Sequence, residues 1–135
     1  MRMLIPAILA ASVLAVSPAT AKEKLAPEAQ LAKLLEGRVA GEPRDCINLP
    51  RIDSSQIIDK TAIVYRDGST LWVNRPRGGA ESLDDDDVLV TKTIGSQLCS
   101  IDTVQLHDRT SHFWRGFVSL GEFVPYRKVK SAAVR

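Results

Sequence analysis

Thr61-Ala62-Ile63-Val64-Tyr65-Arg66-Asp67-Gly68-Ser69-Thr70-Leu71-Trp72-Val73-Asn74 reads as two β-strands folded back on one another. In the first run Ile63 and Tyr65 fall on one face and Ala62 and Val64 on the other, the two-residue period of a strand. Asp67-Gly68-Ser69 is a turn signal, because glycine reaches positive φ without steric cost. Thr70 to Asn74 then sets Leu71 and Val73 against Trp72. This hairpin places the chain among β-rich folds.

Downstream the same grammar continues. Val88 to Thr93 is rich in β-branched residues, Thr103 to Leu106 alternates with Val104 and Leu106 inward, and Phe117 to Leu120 and Glu122 to Tyr126 follow. Ser55 to Ile58 is a weaker extended run before the hairpin. Pro125 cannot donate to a ladder, so the last strand is expected at an edge or at a bulge. Five or six short strands separated by turns predict a mainly β domain, a small antiparallel sheet or partial barrel.

Upstream, Lys22 to Glu36 carries Pro27 near its start, an apolar stripe of Leu31, Leu34 and Leu35, and Gly37 as a stop, which predicts one short N-terminal helix. Arg38 to Asp45 reads as a linker into the domain. Before all of this, Met1 to Ala21 has a basic Arg2, an apolar run from Met3 to Val16 and small residues at Ala19-Thr20-Ala21, the pattern of a secretory signal peptide cleaved between Ala21 and Lys22. The run is shorter than the ~20 apolar residues of a membrane-spanning helix and contains Pro6, so no lasting membrane anchor is expected. The expected organisation is therefore a signal-peptide helix at 1–21, helix and linker at 22–45, a β-rich domain at 46–130 and a tail at 131–135.

The 135 residues carry 18 basic and 16 acidic side chains, a net charge of +2. That balance lacks the basic excess of a protein binding nucleic acid through phosphates. The two cysteines, Cys46 and Cys99, are expected to form a disulfide in an oxidising compartment; the alternatives are free thiols or a zinc site shared with His107 and His112. No Cys-x₂₋₄-Cys pair supports zinc, and neither a metal nor a cofactor is expected.

Several stretches together resemble a family of small exported Gram-negative bacterial proteins of unknown function. They are Gly41-Glu42-Pro43 followed by Cys46-Ile47, then Ile58-Asp59, then Leu98-Cys99-Ser100-Ile101-Asp102, and finally Leu120-Gly121-Glu122-Phe123-Val124-Pro125-Tyr126. The resemblance spans Arg38 to Lys128, and its most specific pieces are Cys-x-x-Asp and Leu-Gly-Glu-Phe. The family pattern has two further cysteines, near Gly79-Ala80 and near Val118, which this chain lacks. The resemblance implies a fold and a compartment, and brings no activity with it.

The candidate chemistry is sparse. His107, Asp108, Ser111 and His112 hold the residue types of a hydrolytic triad, but crowd into one polar turn without a Gly-x-Ser-x-Gly elbow. Asp84 to Asp87 offers carboxylates for calcium without the alternate spacing, glycine and distal glutamate of an EF-hand loop. Arg75 and Arg77 suit an anion, and pairing with the aspartate run is the expected resting state. Asp59 and Asp102 are expected to cap turns rather than to act as an acid–base pair. Trp72, Trp114, Phe113 and Phe117 are most of the aromatic content, and with Arg75 and Arg77 they are the candidate surface for a ligand or partner. The leading expectation is an exported, non-enzymatic envelope interaction module meeting an envelope protein. The alternatives are a periplasmic protein holding a small molecule near Trp72 and Arg75–Arg77, and a hydrolase using Asp59, Asp102 or His107.

Overall fold

The computed structural model describes residues 23–130. The signal-peptide helix, the Ala21–Lys22 cleavage point and the tail from 131 lie outside them. Helix α1 (Pro27–Leu34) is followed by β1 (Arg38–Ala40), β2 (Cys46–Asn48), β3 (Ser54–Ile58), β4 (Ala62–Asp67), β5 (Thr70–Asn74), β6 (Asp87–Thr91), β7 (Gln97–Cys99), β8 (Thr103–Asp108), β9 (Trp114–Ser119) and β10 (Phe123–Lys128). Short 3₁₀ turns occupy Leu49–Arg51 and Ala80–Ser82. The fold is mainly β, as expected, with antiparallel sheets and, among the described residues, one α-helix and no closed barrel.

The hairpin of β4 and β5 forms the middle of a five-stranded sheet ordered β1-β10-β5-β4-β3. Asp67 faces Thr70, leaving Gly68 and Ser69 as a two-residue loop. Gly68, at φ 56°, holds the first central position of the type II′ turn, whose twist matches that of the flanking strands. Both faces of this sheet are covered. Ile58, Ala62, Val64, Leu71 and Val73 pack under Leu31 of α1, with Leu34, Leu35 and Tyr126 at the margin. Ile57, Ile63, Tyr65, Trp72 and Phe123 face the other way, onto Val104, Leu106, Val118, Leu120, Leu83, Leu98 and Ile47. Most of those partners come from a three-stranded sheet, β6-β8-β9, and from the ribbon β2-β7. The layers are therefore helix, five-stranded sheet, and smaller sheet with its ribbon.

Three expectations change. The helix is shorter at its start: Pro27 is its first residue, and the residue before a proline is driven out of helical conformation, so 23–26 do not join it. The segment expected as a linker contributes strand β1, whose Arg38 lies opposite Lys128. The last strand is internal, between β1 and β5, not at an edge. Pro125 fits there because its carbonyl points to the β1 flank, where it accepts from Gly41 N–H at 2.7 Å. Its missing donor therefore also faces that flank, just past the end of β1, and costs the β5 ladder nothing.

Asn74 is fully buried and its amide group spans Gly121. Nδ2 donates to the Gly121 carbonyl at 2.7 Å, and Gly121 N–H donates to Oδ1 at 2.9 Å. The side chain thus imitates a strand neighbour and ties the β9–β10 connection to β5. Gly121 has to be glycine here, since a Cβ would lie 2.4 Å from the Arg75 carbonyl oxygen.

Candidate functional site

Cys46 and Cys99 face one another across β2 and β7 and are joined by a disulfide. Ser100 N–H donates to the Asp45 carbonyl at 2.7 Å, just outside the pair, which makes Cys46–Cys99 a non-hydrogen-bonded position. Such positions bring Cα atoms closest across a ladder, and here they lie 4.0 Å apart. Asp102 closes the following turn by accepting from Cys99 N–H at 2.7 Å, the capping role expected of it. Asp59 closes no turn of its own with its carboxylate; it accepts from the N–H of the distant Asp85 at 2.7 Å and so ties the β3–β4 turn to the aspartate run.

The other predicted site residues do not form one site. Trp72 retains only 8 % of its exposure and sits in the core between the sheets, so it is not part of an open ligand mouth. Arg75 makes a fork-to-fork pair with Glu28 of α1, at 2.8 and 3.1 Å, instead of meeting the aspartate run. That contact lowers the Glu28 pKa and raises that of Arg75. Arg77 is held by its backbone, donating to the Ser119 carbonyl at 2.9 Å. The aspartates take other cations. Arg115 reaches Asp87 at 2.9 Å and Asp84 at 3.5 Å, while Lys24 reaches Asp85 at 2.6 Å and Asp59 at 3.1 Å. Oxygens of Asp59, Asp84 and Asp85 lie within 4.8 Å of one another; Asp59 and Asp85 hold the Lys24 ammonium, and Asp84 pairs with Arg115. Asp85 first, then Asp59, raises the Lys24 pKa.

The His107–His112 segment is a turn. Asp108 accepts from Ser111 N–H at 2.7 Å, from Thr110 N–H at 2.9 Å and from the Ser111 hydroxyl at 2.9 Å. The Ser111 bonds hold the Asp108 pKa below the usual carboxylate range. The Ser111 Oγ proton is therefore directed at a carboxylate, whereas a triad serine gives its proton to a histidine. His107 contacts the His112 carbonyl and Gln105.

Trp114 behaves differently from Trp72. On the side of the small sheet facing away from the core, Val88, His107 and Trp114 form one row across β6, β8 and β9, and Val90, Gln105 and Phe117 form the next. Trp114 is 59 % exposed, Phe117 53 % and the neighbouring Phe113 75 %. The five-stranded sheet has α1 over its outer side; this sheet has no element over its own among the described residues.

A second feature is a cleft between β3 and β6, the outermost strands of the two sheets. A cavity of about 500 Å³ is lined by Gln30, Ser55, Gln56, Ile57, Asp87 and Leu89 among others. A further one of about 270 Å³ shares Ser55 and Leu89 and adds Ile52, Tyr65 and Thr91. Two deeply buried polar atoms at these walls lack partners, Tyr65 Oη and Asp87 Oδ2. Burial raises the Tyr65 pKa. The cleft has no sequence motif, because it depends on which strands end up outermost.

No family model, curated protein or solved structure matches this chain. Among the described residues no helix is long and apolar enough to cross a membrane.

Proposed function

We propose that this protein is an exported, non-enzymatic interaction module of the bacterial envelope, and that it binds a protein partner through the outer side of the β6-β8-β9 sheet. The observation that carries this reading is the pair of uncovered rows ending in Trp114 and Phe117, with Phe113 beside them. Large aromatics left in water across a flat sheet give up roughly 25 cal/mol for each Å² later removed from it, and Trp and Phe are enriched at interface centres. Export is supported by the Met1–Ala21 pattern and agrees with a disulfide, which persists in oxidising compartments. The family resemblance points to the same compartment. The hydrolase alternative has less support, since Asp102 and Asp59 accept from the Cys99 and Asp85 N–H groups, and so has the ligand alternative, since Trp72 packs in the core and Arg75 pairs with Glu28.

The test is affinity capture from envelope extracts with the wild-type protein and with a Trp114→Ala/Phe117→Ala double variant. A partner retained by the wild type and lost by the variant supports the reading. Equal recovery by both overturns it. N-terminal sequencing of exported material tests the compartment: a mature chain starting at Lys22 is expected, and an uncleaved chain in the cytoplasm contradicts export.

A further inference from the structure

The cleft between β3 and β6 is an open seam between the five-stranded and three-stranded sheets, and its walls are strand edges. Asp67 and Thr70 close a two-residue hairpin and so form a hydrogen-bonded pair. Alternation along β4 then turns the main chains of Val64 and Arg66 toward β3, where they meet Gln56 and Ser54. The amides and carbonyls of Ser55 and Ile57 consequently point away from β4, into the seam. On the other wall, Asp108 N–H donates to the Phe113 carbonyl on the β9 side. His107 therefore turns to β6 and pairs with Val88, which leaves the main chains of Leu89 and Thr91 pointing outward. Among the described residues no backbone hydrogen bond occupies Ser55, Ile57, Leu89 or Thr91 on these flanks; only Asp87, at the start of β6, is taken, its N–H by the Asp84 carbonyl at 3.0 Å and its carbonyl by Arg109 at 3.5 Å.

Proteins blunt such edges with short strands, bulges, lysine or proline. The opposite edges of the same two sheets, β1 and β9, are treated this way. β1 has three residues and begins with Arg38, and β9 carries a register shift opposite Leu106 and His107. β3 and β6 have five residues each and contain no lysine, arginine or proline. These two edges border the same cleft, and that cleft is lined by Tyr65 and Asp87, whose hydroxyl and one carboxylate oxygen lack partners.

We propose that an extended segment of a partner protein, about five residues long and carrying a lysine or arginine, adds as a strand in this seam between β3 and β6. The length follows from the five-residue edges. The backbone chemistry follows from the free amides and carbonyls on the flanks. The basic side chain follows from Asp87, whose Oδ1 is held by Arg115 at 2.9 Å while Oδ2 is buried and lacks a donor. Ile52, Ile57 and Leu89 supply apolar surface for the inward side chains between these polar ends. The seam uses none of Phe113, Trp114 or Phe117, so this inference and the aromatic-face reading stand or fall separately.

The experiment pans the oxidised protein against a phage-displayed library of random short peptides. The enriched sequences are then synthesised for fluorescence anisotropy. Enriched peptides are expected to carry a lysine or arginine among β-branched residues. N-methylation of alternate peptide amides, which removes ladder donors, is expected to weaken binding by about tenfold or more. Ser55→Pro removes an amide that β4 does not use, so it is expected to weaken binding similarly while thermal stability and near-ultraviolet circular dichroism stay close to wild type. Trp114→Ala is expected to leave peptide binding unchanged. Failure to enrich any peptide overturns the proposal, as does binding insensitive to N-methylation and to Ser55→Pro. Self-association abolished by Ser55→Pro also overturns it, by assigning the seam to a second copy of this chain.

Discussion

Replacing Asn74 by alanine removes the partner of two buried backbone groups at once. Gly121 N–H and C=O both bond to the Asn74 amide, at 2.9 and 2.7 Å, and Gly121 sits against the Arg75 carbonyl with no room to turn outward. A buried group left unpaired costs about 1–3 kcal/mol. The pair together therefore predicts a loss of roughly 2–6 kcal/mol, a large part of the ~5–15 kcal/mol typical of a domain. With a urea m-value of about 1–3 kcal/mol/M, the midpoint should fall by roughly 1–3 M with an unchanged slope. Asn74→Asp separates this cause from simple truncation. The carboxylate accepts from Gly121 N–H but faces the Gly121 carbonyl without a proton to donate, so burial and that carbonyl raise its pKa in the folded state. The native variant then binds more protons than the unfolded chain. Relative to wild type, its stability should be highest in acid and should fall as pH rises through and above the usual carboxylate range. Urea titrations of both variants across pH are the assay. A loss below about 1 kcal/mol for Asn74→Ala, or an Asn74→Asp stability that rises relative to wild type with pH, would refute the reasoning.

Reduction of Cys46–Cys99, or its double replacement by serine, should cost about 4 kcal/mol by chain entropy for a sequence separation of 53, measured as a lower urea midpoint; an unchanged midpoint contradicts a closed bridge. Acrylamide should quench only the Trp114 part of the tryptophan emission, so Trp114→Phe should leave a blue-shifted, poorly quenched signal from Trp72; strong residual quenching would place Trp72 outside the core. Two pH limits follow from the carboxylates and from Tyr65. The lowered pKa values of Asp84 and Asp108 contribute stability at neutral pH that is lost as pH falls below about 4, and the raised pKa of Tyr65 makes stability fall as pH rises above about 10. Asp108→Asn should flatten the acid limb and Tyr65→Phe the alkaline one; thermal unfolding curves that keep both slopes would contradict the assignments.

Local signals in the sequence carried the fold as far as the β4–β5 hairpin, the leucine stripe of α1 and the pairing of two cysteines. Each of these depends on residues near in the chain or on a chemical type used only twice. Strands β1, β2 and β7 were not visible because three residues cannot display a period, and each is held by a distant partner, as Arg38 is by Lys128. Alternation correctly separated Trp72 from Leu71 and Val73, yet it could not say that both sides of that sheet are covered, one by α1 and the other by the second sheet. The partners of Arg75 and of the aspartates were equally hidden. Opposite charges near in sequence suggested one pairing, whereas the fold brings Glu28 to Arg75 and Arg115 to Asp87. Of the candidate surface, Trp114 was legible as an aromatic; the seam was not, because no residue type marks an outermost strand.

The position of β10 sets the order in which the molecule can be completed. It is the last strand made, yet it lies between β1 and β5, so the five-stranded sheet has a gap in its interior until nearly the whole chain exists. Until Phe123 to Lys128 arrives, β1 has no neighbour and one flank of β5 lies open. Long-range pairing of this kind slows folding. An incomplete chain therefore stays loose and threadable, and it locks only when its C-terminal segment slides into place.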